Sequence, residues 1–132
     1  MTDALAGWDQ GIPFAKTLGI EAVRTDKAEV RARLALSEPL STTGGAMNGG
    51  AIMALADNTG AVCAWLNLPE GATGTTTIES KTNFLRAIRQ GHATAVSRPL
   101  HAGRTVIVVE TEILDDDGRL AAKVTQTQAV LR

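Results

Sequence analysis

The segment Gly49–Leu66 constrains the fold of this chain more than any other feature of its sequence. From residue 51 onward it is apolar except for Asp57, Asn58 and Thr59. A helix that is apolar on all sides is normally buried, and burying an ionised carboxylate without partners costs several kcal/mol. We therefore expect a central buried helix in which Asp57 is either compensated by a structural partner or used in chemistry.

Turn-forming residues mark both ends of this helix. Residues 37–48 are rich in Ser, Thr, Gly and Pro, which predicts a loop without a regular element. Asn48 is a suitable cap for the first turn, and Pro69 and Gly71 stop the helix at residue 66. The helix is thus predicted over residues 49–66.

Alternating and β-branched segments predict strands on either side of the helix. Before it, residues 28–36 alternate apolar and polar positions. After it come segments 75–85, 93–100, 105–114 and 120–131. Reversals at Gln90-Gly91, Ala102-Gly103 and 115–118 would join these four into an antiparallel meander.

These elements predict an α+β fold, an antiparallel sheet of about five to six strands wrapped around one long central helix. The first 20 residues add a short leading helix, broken near Pro13. With 132 residues, 44% of them hydrophobic, the chain is expected to form a single domain over 1–132.

The composition makes several classes of partner improbable. A net charge of -1 and only four aromatic residues argue against a nucleic-acid partner. The helix is too short and too polar for a membrane span. The single cysteine, Cys63, and the absence of a secretion signal predict a cytoplasmic location.

The start of the helix offers an oxyanion site to accompany Asp57. Gly49 and Gly50 leave the backbone open to a ligand, and the first N–H groups of a helix have no internal acceptor and lie at its positive end. A tight turn or close packing would also explain the glycines. Because Gly50 and Asp57 are about 10 Å apart along the helix, we predict a two-fold dimer whose sites combine both subunits.

Several motifs give the chain a resemblance to a known family. Residues 45–57, GAMNGGAIMALAD, resemble the helix signature of hotdog-fold acyl-CoA thioesterases of the phenylacetate-degradation type. Residues 83–87, NFLRA, resemble the strand that follows it, and 103–105 and 117–122 resemble the later hairpins. The similarity extends over residues 29–131.

The resemblance implies a role for each matching residue. Asp57 would be the nucleophile or the general base, and a backbone N–H at Gly49 or Gly50 would polarise the thioester carbonyl. Asn48 and the strand hydroxyl of Thr77 would assist. The residues implied in coenzyme A binding are Arg86, Gly103, Arg104 and Thr105. No cofactor is implied beyond the coenzyme A of the substrate, and the implied assembly is a dimer of dimers.

Three positions depart from the family pattern. Asn48 stands where many members carry His, and its amide can donate a hydrogen bond or cap the helix but cannot shuttle a proton near neutral pH. Thr42 replaces an Asn, and Ala87 replaces a Pro that commonly follows the Phe-Leu-Arg stretch. The departures at positions 48 and 42 bear on the positioning of the thioester.

The remaining polar candidates have simpler interpretations. His92 and His101 are expected in loops, and Cys63 as a small buried hydrophobe. Asn58 and Thr59 could line the acyl pocket or only satisfy local hydrogen bonds. One Cys and two distant His residues do not form a zinc site, so no metal is expected.

Hydrolysis of an acyl-CoA thioester is therefore the leading hypothesis. The absence of His at position 48 keeps a non-catalytic acyl-CoA-binding protein as an alternative. A hydratase or dehydratase ranks last, because neither His92 nor His101 is near the Asp57 segment in the sequence.

Overall fold

The chain folds as a sheet curled around one long helix, as expected for an α+β protein. The structure is a computed structural model, and it describes residues 5–132. Its α-helices are α1 (Trp8–Gly11), α2 (Pro13–Leu18) and α3 (Gly49–Leu66). Its strands are β1 (Glu21–Thr25), β2 (Val30–Ala35), β3 (Gly74–Phe84), β4 (His92–Ala102), β5 (Val106–Leu114) and β6 (Leu120–Leu131).

The six strands form one antiparallel sheet in the order β1-β2-β4-β5-β6-β3. Helix α3 packs against β2, β3, β4, β5 and β6, so the core lies between the helix and the concave face of the sheet. Leu55 of α3 and Ile107 and Ile113 of β5 are fully buried there. The predicted fold class is confirmed.

Local signals at the helix ends match the structure. Asn48 caps α3 with its side chain, and α3 ends at Leu66 as predicted. The leading helix is broken in two, with Pro13 at the first position of α2, where a missing N–H is harmless. Residues 1–4 of that predicted segment lie outside the described residues.

The structure differs from the predicted local elements in three places. Strand β1 was not predicted, because Val23 and its neighbours are exposed or half-buried and show no apolar alternation. The loop 37–48 contains a short 3₁₀ helix, Glu38–Leu40, with Pro39 in its first turn. The strand predicted over 28–36 is shortened to Val30–Ala35.

The predicted four-strand meander was also wrong, because β3 pairs with β6 and not with β4. Segment 85–91 carries the chain across the end of the sheet. Leu85 and Arg86 donate their N–H groups to the Ala121 carbonyl, and the Ile88 carbonyl accepts from Met47. Since the Ile88 side chain is buried in the core, the segment is held as a crossover. Only β4, β5 and β6 form a meander.

Among residues 5–132, no helix combines the length and the apolar character needed to cross a membrane.

Candidate active site

Asp57 lies on an exposed stripe of α3, in contrast to its predicted burial. The exposed side of the helix carries Gly50, Met53, Asp57 and Trp65, whereas Leu55, Ala56 and Thr59 face the core. The sheet curls around α3 without covering this stripe. The expectation that the helix is buried on all sides is wrong for the single subunit.

The Asp57 carboxylate nevertheless has a perturbed acidity. Partial loss of hydration against the surrounding protein raises its pKa above the ordinary aspartate value. A side-chain hydrogen-bond interaction with Thr77 acts in the opposite direction and lowers the pKa in part. A carboxylate that is accessible yet poorly hydrated is suited to act as a base or nucleophile near neutral pH.

Thr77 reaches Asp57 from the edge strand β3. It stands opposite Gln128 of β6, whose Nε2 donates a 2.6 Å hydrogen bond to the Thr77 hydroxyl. A β-bulge interrupts the register between Thr77 and Glu79, with Ile78 as the extra residue. Bulges re-aim side chains next to functional sites. The structure thus brings together two of the residues singled out in the sequence, Asp57 and Thr77.

The capping of α3 distinguishes between its two glycine donors. The Gly50 N–H donates to Asn48 Oδ1 at 2.7 Å, and the N–H groups of Ala51 and Ile52 donate to the Asn48 carbonyl. Within residues 5–132 the Gly49 N–H has no acceptor. Of the two predicted oxyanion donors, Gly50 is therefore occupied by the cap, and Gly49 offers its N–H to a ligand.

The cap also fixes the orientation of the Asn48 amide. Because Oδ1 must accept from the Gly50 N–H, the amide nitrogen Nδ2 is left as a donor on the exposed side. Asn48 and Gly49 together present two hydrogen-bond donors at the positive end of a long helix. This arrangement can stabilise negative charge on a carbonyl oxygen.

Clefts lie on both sides of this helix end. One has a volume of about 400 Å³ and is lined by Gly49, Ile52, Phe84 and Arg86, among others. The other is bordered by Phe14 and Leu18 of α2 together with Asn48 and Gly50. Phe84 packs directly on Gly49, where an added Cβ would lie 3.2 Å from its ring. The donors therefore face space that a ligand can enter.

The predicted coenzyme A contacts do not converge within one chain. Arg86 follows the end of β3, whereas the turn Gly103-Arg104-Thr105 lies beside its start, because Arg132 donates to the Arg104 carbonyl and Leu131 pairs with Gly74. Eleven residues of strand separate the two ends, about 35 Å. Both arginines are exposed.

Two other arginines, Arg98 and Arg89, have partners in the structure. Arg98 forms ion pairs with Glu29 at 2.7 Å and Glu112 at 3.4 Å. Arg89 donates to the Gly44 carbonyl.

The histidines occupy strand positions, so the expectation that they lie in loops was wrong. His92 begins β4, with its Nδ1 3.7 Å from Asp116, and His101 lies near the end of β4 against Gly103. Strands β5 and β6 separate β4 from β3, where Thr77 contacts Asp57. Neither histidine is therefore placed to act with Asp57 in the same subunit.

The remaining helix candidates have local roles. Asn58 and Thr59 donate to the carbonyls of Ala54 and Leu55, one turn earlier in α3. Cys63 is buried as predicted, and burial raises the pKa of its thiol to about 12. In the part of the chain that is described, no three His, Cys, Asp or Glu residues cluster as a metal site requires.

Sequence reasoning missed Gln126 and Gln128, which are fully buried on the helix-facing side of β6. A signal was present in the sequence. The two amides occur at alternate positions in line with Ala122 and Val124, on the apolar face of the strand. Polar residues on an apolar face must be hydrogen-bonded. The hydrogen bonds of these two amides connect to the Thr77 hydroxyl.

Comparison with known proteins shows the same architecture in thioesterases. Residues 44–122 match the model of the thioesterase superfamily. A protein of Saccharolobus solfataricus described as an esterase is 35% identical over 117 residues, 89% of this chain and 82% of its own length. The 1,4-dihydroxy-2-naphthoyl-CoA hydrolase of Escherichia coli is 36% identical over 87 residues, 66% of this chain and 63% of its own. A thioesterase crystal structure from Haemophilus influenzae superposes with a TM-score of 0.89 at 25% identity, covering 97% and 90% of the two chains.

Proposed function

Since the chain belongs to the thioesterase superfamily, we propose that it hydrolyses acyl-CoA thioesters, with Asp57 as the nucleophile or general base. The observation that carries the proposal is the pairing of two features on one exposed helix face. One is the Asp57 carboxylate, whose pKa the nearby Thr77 hydroxyl lowers, and the other is the Gly49 N–H at the helix start, for which residues 5–132 supply no acceptor. The family membership predicted from residues 45–57 is confirmed.

With Asp57 as general base, its carboxylate takes a proton from water as the water oxygen attacks the thioester carbon. The carbonyl oxygen becomes an oxyanion, which the Gly49 N–H and Asn48 Nδ2 stabilise. The intermediate then collapses, the carbon–sulfur bond breaks, and the coenzyme A thiolate takes the proton held by Asp57. With Asp57 as nucleophile, the carboxylate attacks the thioester carbon, the carbon–sulfur bond breaks, and the coenzyme A thiolate leaves and takes a proton from solvent. Water then hydrolyses the mixed anhydride, which releases the free acid and restores the Asp57 carboxylate.

A two-fold dimer completes the site in this proposal. Gly49 and Asp57 are about two helical turns apart and cannot both contact one carbonyl in the same subunit. Strand β3 has a free edge, exposed Ile78 and Phe84, and a neighbouring helix stripe with exposed Met53. If this surface pairs with the same surface of a second chain, the Asn48–Gly49 end of one α3 lies opposite Asp57 of the other.

The same dimer would bring the coenzyme A contacts together. Antiparallel pairing of two β3 edges places the end of one strand beside the start of the other. Arg86 of one subunit would then lie on the same side as Arg104 of its partner. The separation of these arginines within one chain thus supports sites that are shared between subunits. A further pairing of two dimers remains a proposal from the resemblance.

An acyl-CoA is the proposed substrate class because an Escherichia coli relative is a hydrolase of an aromatic acyl-CoA. Thiol release should be measured with a panel of aromatic and short to medium aliphatic acyl-CoAs. Asp57→Asn should lower kcat about 100-fold or more, the scale of general-base loss. The exposed Asp117→Asn is the matched control. If Asp57→Asn lowers kcat only a few-fold, Asp57 is neither the nucleophile nor the general base.

The oxyanion donor can be tested by deleting a single N–H. Gly49 is the first residue of α3, where proline is well tolerated, and Asn48 has the extended backbone (φ -61, ψ 136) that a following proline requires. Gly49→Pro should fold and lose activity, whereas Gly49→Ala keeps the N–H and should retain more. Equal activity in the two variants would mean that the Gly49 N–H does not bind the oxyanion.

Subunit sharing predicts complementation between two inactive chains. When Asp57→Ala and Gly49→Pro chains are mixed and refolded, each heterodimer contains one site with both defects and one intact site. Random pairing then restores about a quarter of wild-type activity. If the mixtures stay inactive although heterodimers form, the site does not combine the two subunits.

Acyl-CoA binding without turnover is the second candidate function, favoured by Asn48, which cannot shuttle a proton. Calorimetry beside the thiol assay separates the two. Tight binding with no thiol release over the substrate panel would favour the binding protein.

A further inference from the structure

We propose that Gln126 and Gln128 form a buried amide relay that holds the Thr77 hydroxyl as a hydrogen-bond donor to Asp57. The two glutamines are positioning residues, acting through Thr77, and this inference rests on the proposed function of Asp57. The relay links the backbone of α3 to the edge strand β3 through the interior of the protein.

The relay begins at the peptide that precedes Asp57. Gln126 Nε2 donates to the Ala56 carbonyl at 3.1 Å. Gln128 Nε2 donates to Gln126 Oε1 at 2.5 Å and to the Thr77 hydroxyl at 2.6 Å. These three hydrogen bonds lead from Ala56 to the Thr77 hydroxyl, which lies near enough to Asp57 to lower the pKa of its carboxyl.

The direction of each of these three hydrogen bonds follows from the first one. A backbone carbonyl can only accept, so Gln126 must turn its amide nitrogen towards Ala56 and its oxygen towards Gln128. Gln128 must then present its nitrogen, and its two N–H groups satisfy Gln126 and Thr77. A lone pair of the Thr77 oxygen is thereby occupied, which leaves the hydroxyl proton free to point at Asp57.

The cost of this arrangement argues for a role beyond packing. Gln126 and Gln128 are 0% and 1% exposed, and buried amides are destabilising unless all their bonds are made. Helix α3 also carries a glycine, Gly60, where the Gln126 side-chain amide packs against it. A Cβ at Gly60 would overlap the Gln126 side-chain amide, so the position is glycine although glycine is destabilising within a helix.

The strand that bears Thr77 is shaped to meet the relay. The bulge at Ile78 lets both Thr77 and Ser80 stand opposite the buried glutamines, at Gln128 and Gln126 respectively. Without the extra residue, positions three apart on a strand would face opposite sides. The bulge and the glutamines together fix the position of the Thr77 hydroxyl relative to Asp57.

A double-mutant cycle between Gln128 and Thr77 tests the relay. Gln128→Met keeps the side-chain length and removes the donor, and it should lower kcat about tenfold with KM little changed. The acid limb of the pH profile should move to higher pH, because the hydroxyl no longer favours the ionised Asp57. In a Thr77→Val background, Gln128→Met should change neither quantity further.

Thr111→Val is the matched control, since Ser97 and Thr111 form another buried side-chain hydrogen bond, at 2.7 Å. It should lower thermal stability without moving the acid limb. Equal effects of Gln128→Met with and without the Thr77 hydroxyl would overturn the relay. So would a shift of the acid limb in Thr111→Val as large as that in Gln128→Met.

A measurement on the wild-type protein separates this inference from the proposed function. Carboxyl and side-chain amide resonances can be followed by NMR during a pH titration of the intact protein. The Gln128 amide resonances should titrate together with the Asp57 carboxyl, even if Asp57→Asn proves to retain activity. A Gln128 amide that is insensitive to Asp57 would overturn the relay, whether or not the variants fold.

Discussion

The Asp57 carboxylate is held in its ionised form at some cost to the folded protein. Loss of hydration raises its pKa, and the Thr77 hydroxyl recovers only part of that effect. Between the ordinary value and the raised value, the folded state binds the proton more strongly than the unfolded chain does. Stability contributed by this group is therefore lost as pH rises through the folded pKa.

Asp57→Asn should accordingly be more stable than the wild type at pH 7, in the direction typical of active-site residues. At about pH 3, below the ordinary aspartate value, the two proteins should have the same melting temperature. Thermal unfolding at both pH values checks this. Asp117→Asn should show no gain at pH 7, and an Asp57→Asn protein without one would show that the carboxylate is well solvated.

Asn48 has two separable functions that a pair of substitutions can distinguish. Asn48→Ala removes the cap of the Gly50 N–H and should lower stability by about 1 kcal/mol. Asn48→Asp keeps an acceptor at the cap but replaces the Nδ2 donor by a negative oxygen, so stability should hold while kcat falls. Denaturant unfolding and thiol release measure the two effects. Unchanged activity in Asn48→Asp would exclude the amide from the oxyanion site.

At the scale of secondary structure, β3 stands out because its edge is unpaired in the described part of the chain and its side chains are exposed. Among the strands of residues 5–132 it pairs only with β6, and its residues are exposed along nearly its whole length. The unpaired N–H and C=O groups along an edge strand are a template for pairing with another chain, and here exposed Ile78 and Phe84 add apolar surface. Helix α3 adds Met53 and Trp65 to the same uncovered region. A second copy of the chain is the occupant that the proposed function requires.

Ile78→Lys should therefore disrupt the dimer. The side chain is 62% exposed at the bulge of β3, where a charge is unfavourable in an apolar interface. Sedimentation velocity should show a shift to monomer, with activity falling in parallel. Leu100→Lys is the matched control, since Leu100 is 63% exposed on β4. A monomeric wild type, or an Ile78→Lys variant that remains dimeric, would contradict the interface.

At the scale of the whole molecule, Glu29 ties the neighbouring strands β1 and β2 to β4, whose Arg98 is 69 residues away in the sequence. It is buried at the start of β2 and forms ion pairs with Arg24 of β1, Arg31 of β2 and Arg98 of β4, at 3.0, 2.6 and 2.7 Å. The hydrogen bond from Arg31 is the main cause of its lowered pKa. Its contribution to stability is present above the unfolded pKa and lost as pH falls through the folded one.

Glu29→Gln should thus lower the free energy of unfolding by about 1 to 2 kcal/mol at pH 7. The difference from wild type should shrink below about pH 4, as protonation neutralises the wild-type carboxylate too. Urea titrations at neutral and acidic pH would measure it, with the exposed Glu70→Gln as control. A constant difference at all pH values would mean that packing, and not charge, causes the loss.

The sequence by itself determined those features that depend on near neighbours in the chain. The bounds of α3, its cap at Asn48 and the strand over residues 120–131 follow from caps, breakers and periodicity within a few residues. The same local motif around Asp57 carried the family membership. Strand β1 was not predicted, because its side chains are exposed or half-buried and show no alternating pattern.

Only the tertiary structure decided what depends on distant partners. Local turn signals cannot show that β3 pairs with β6, since burial of Ile88 directs the crossover. Nor can they show that the Asn48 side chain occupies the Gly50 N–H and leaves that of Gly49 free. The exposure of Asp57 and its link through Thr77 to Gln128 likewise arise where sheet and helix meet, because packing brings together groups that the sequence separates by dozens of residues.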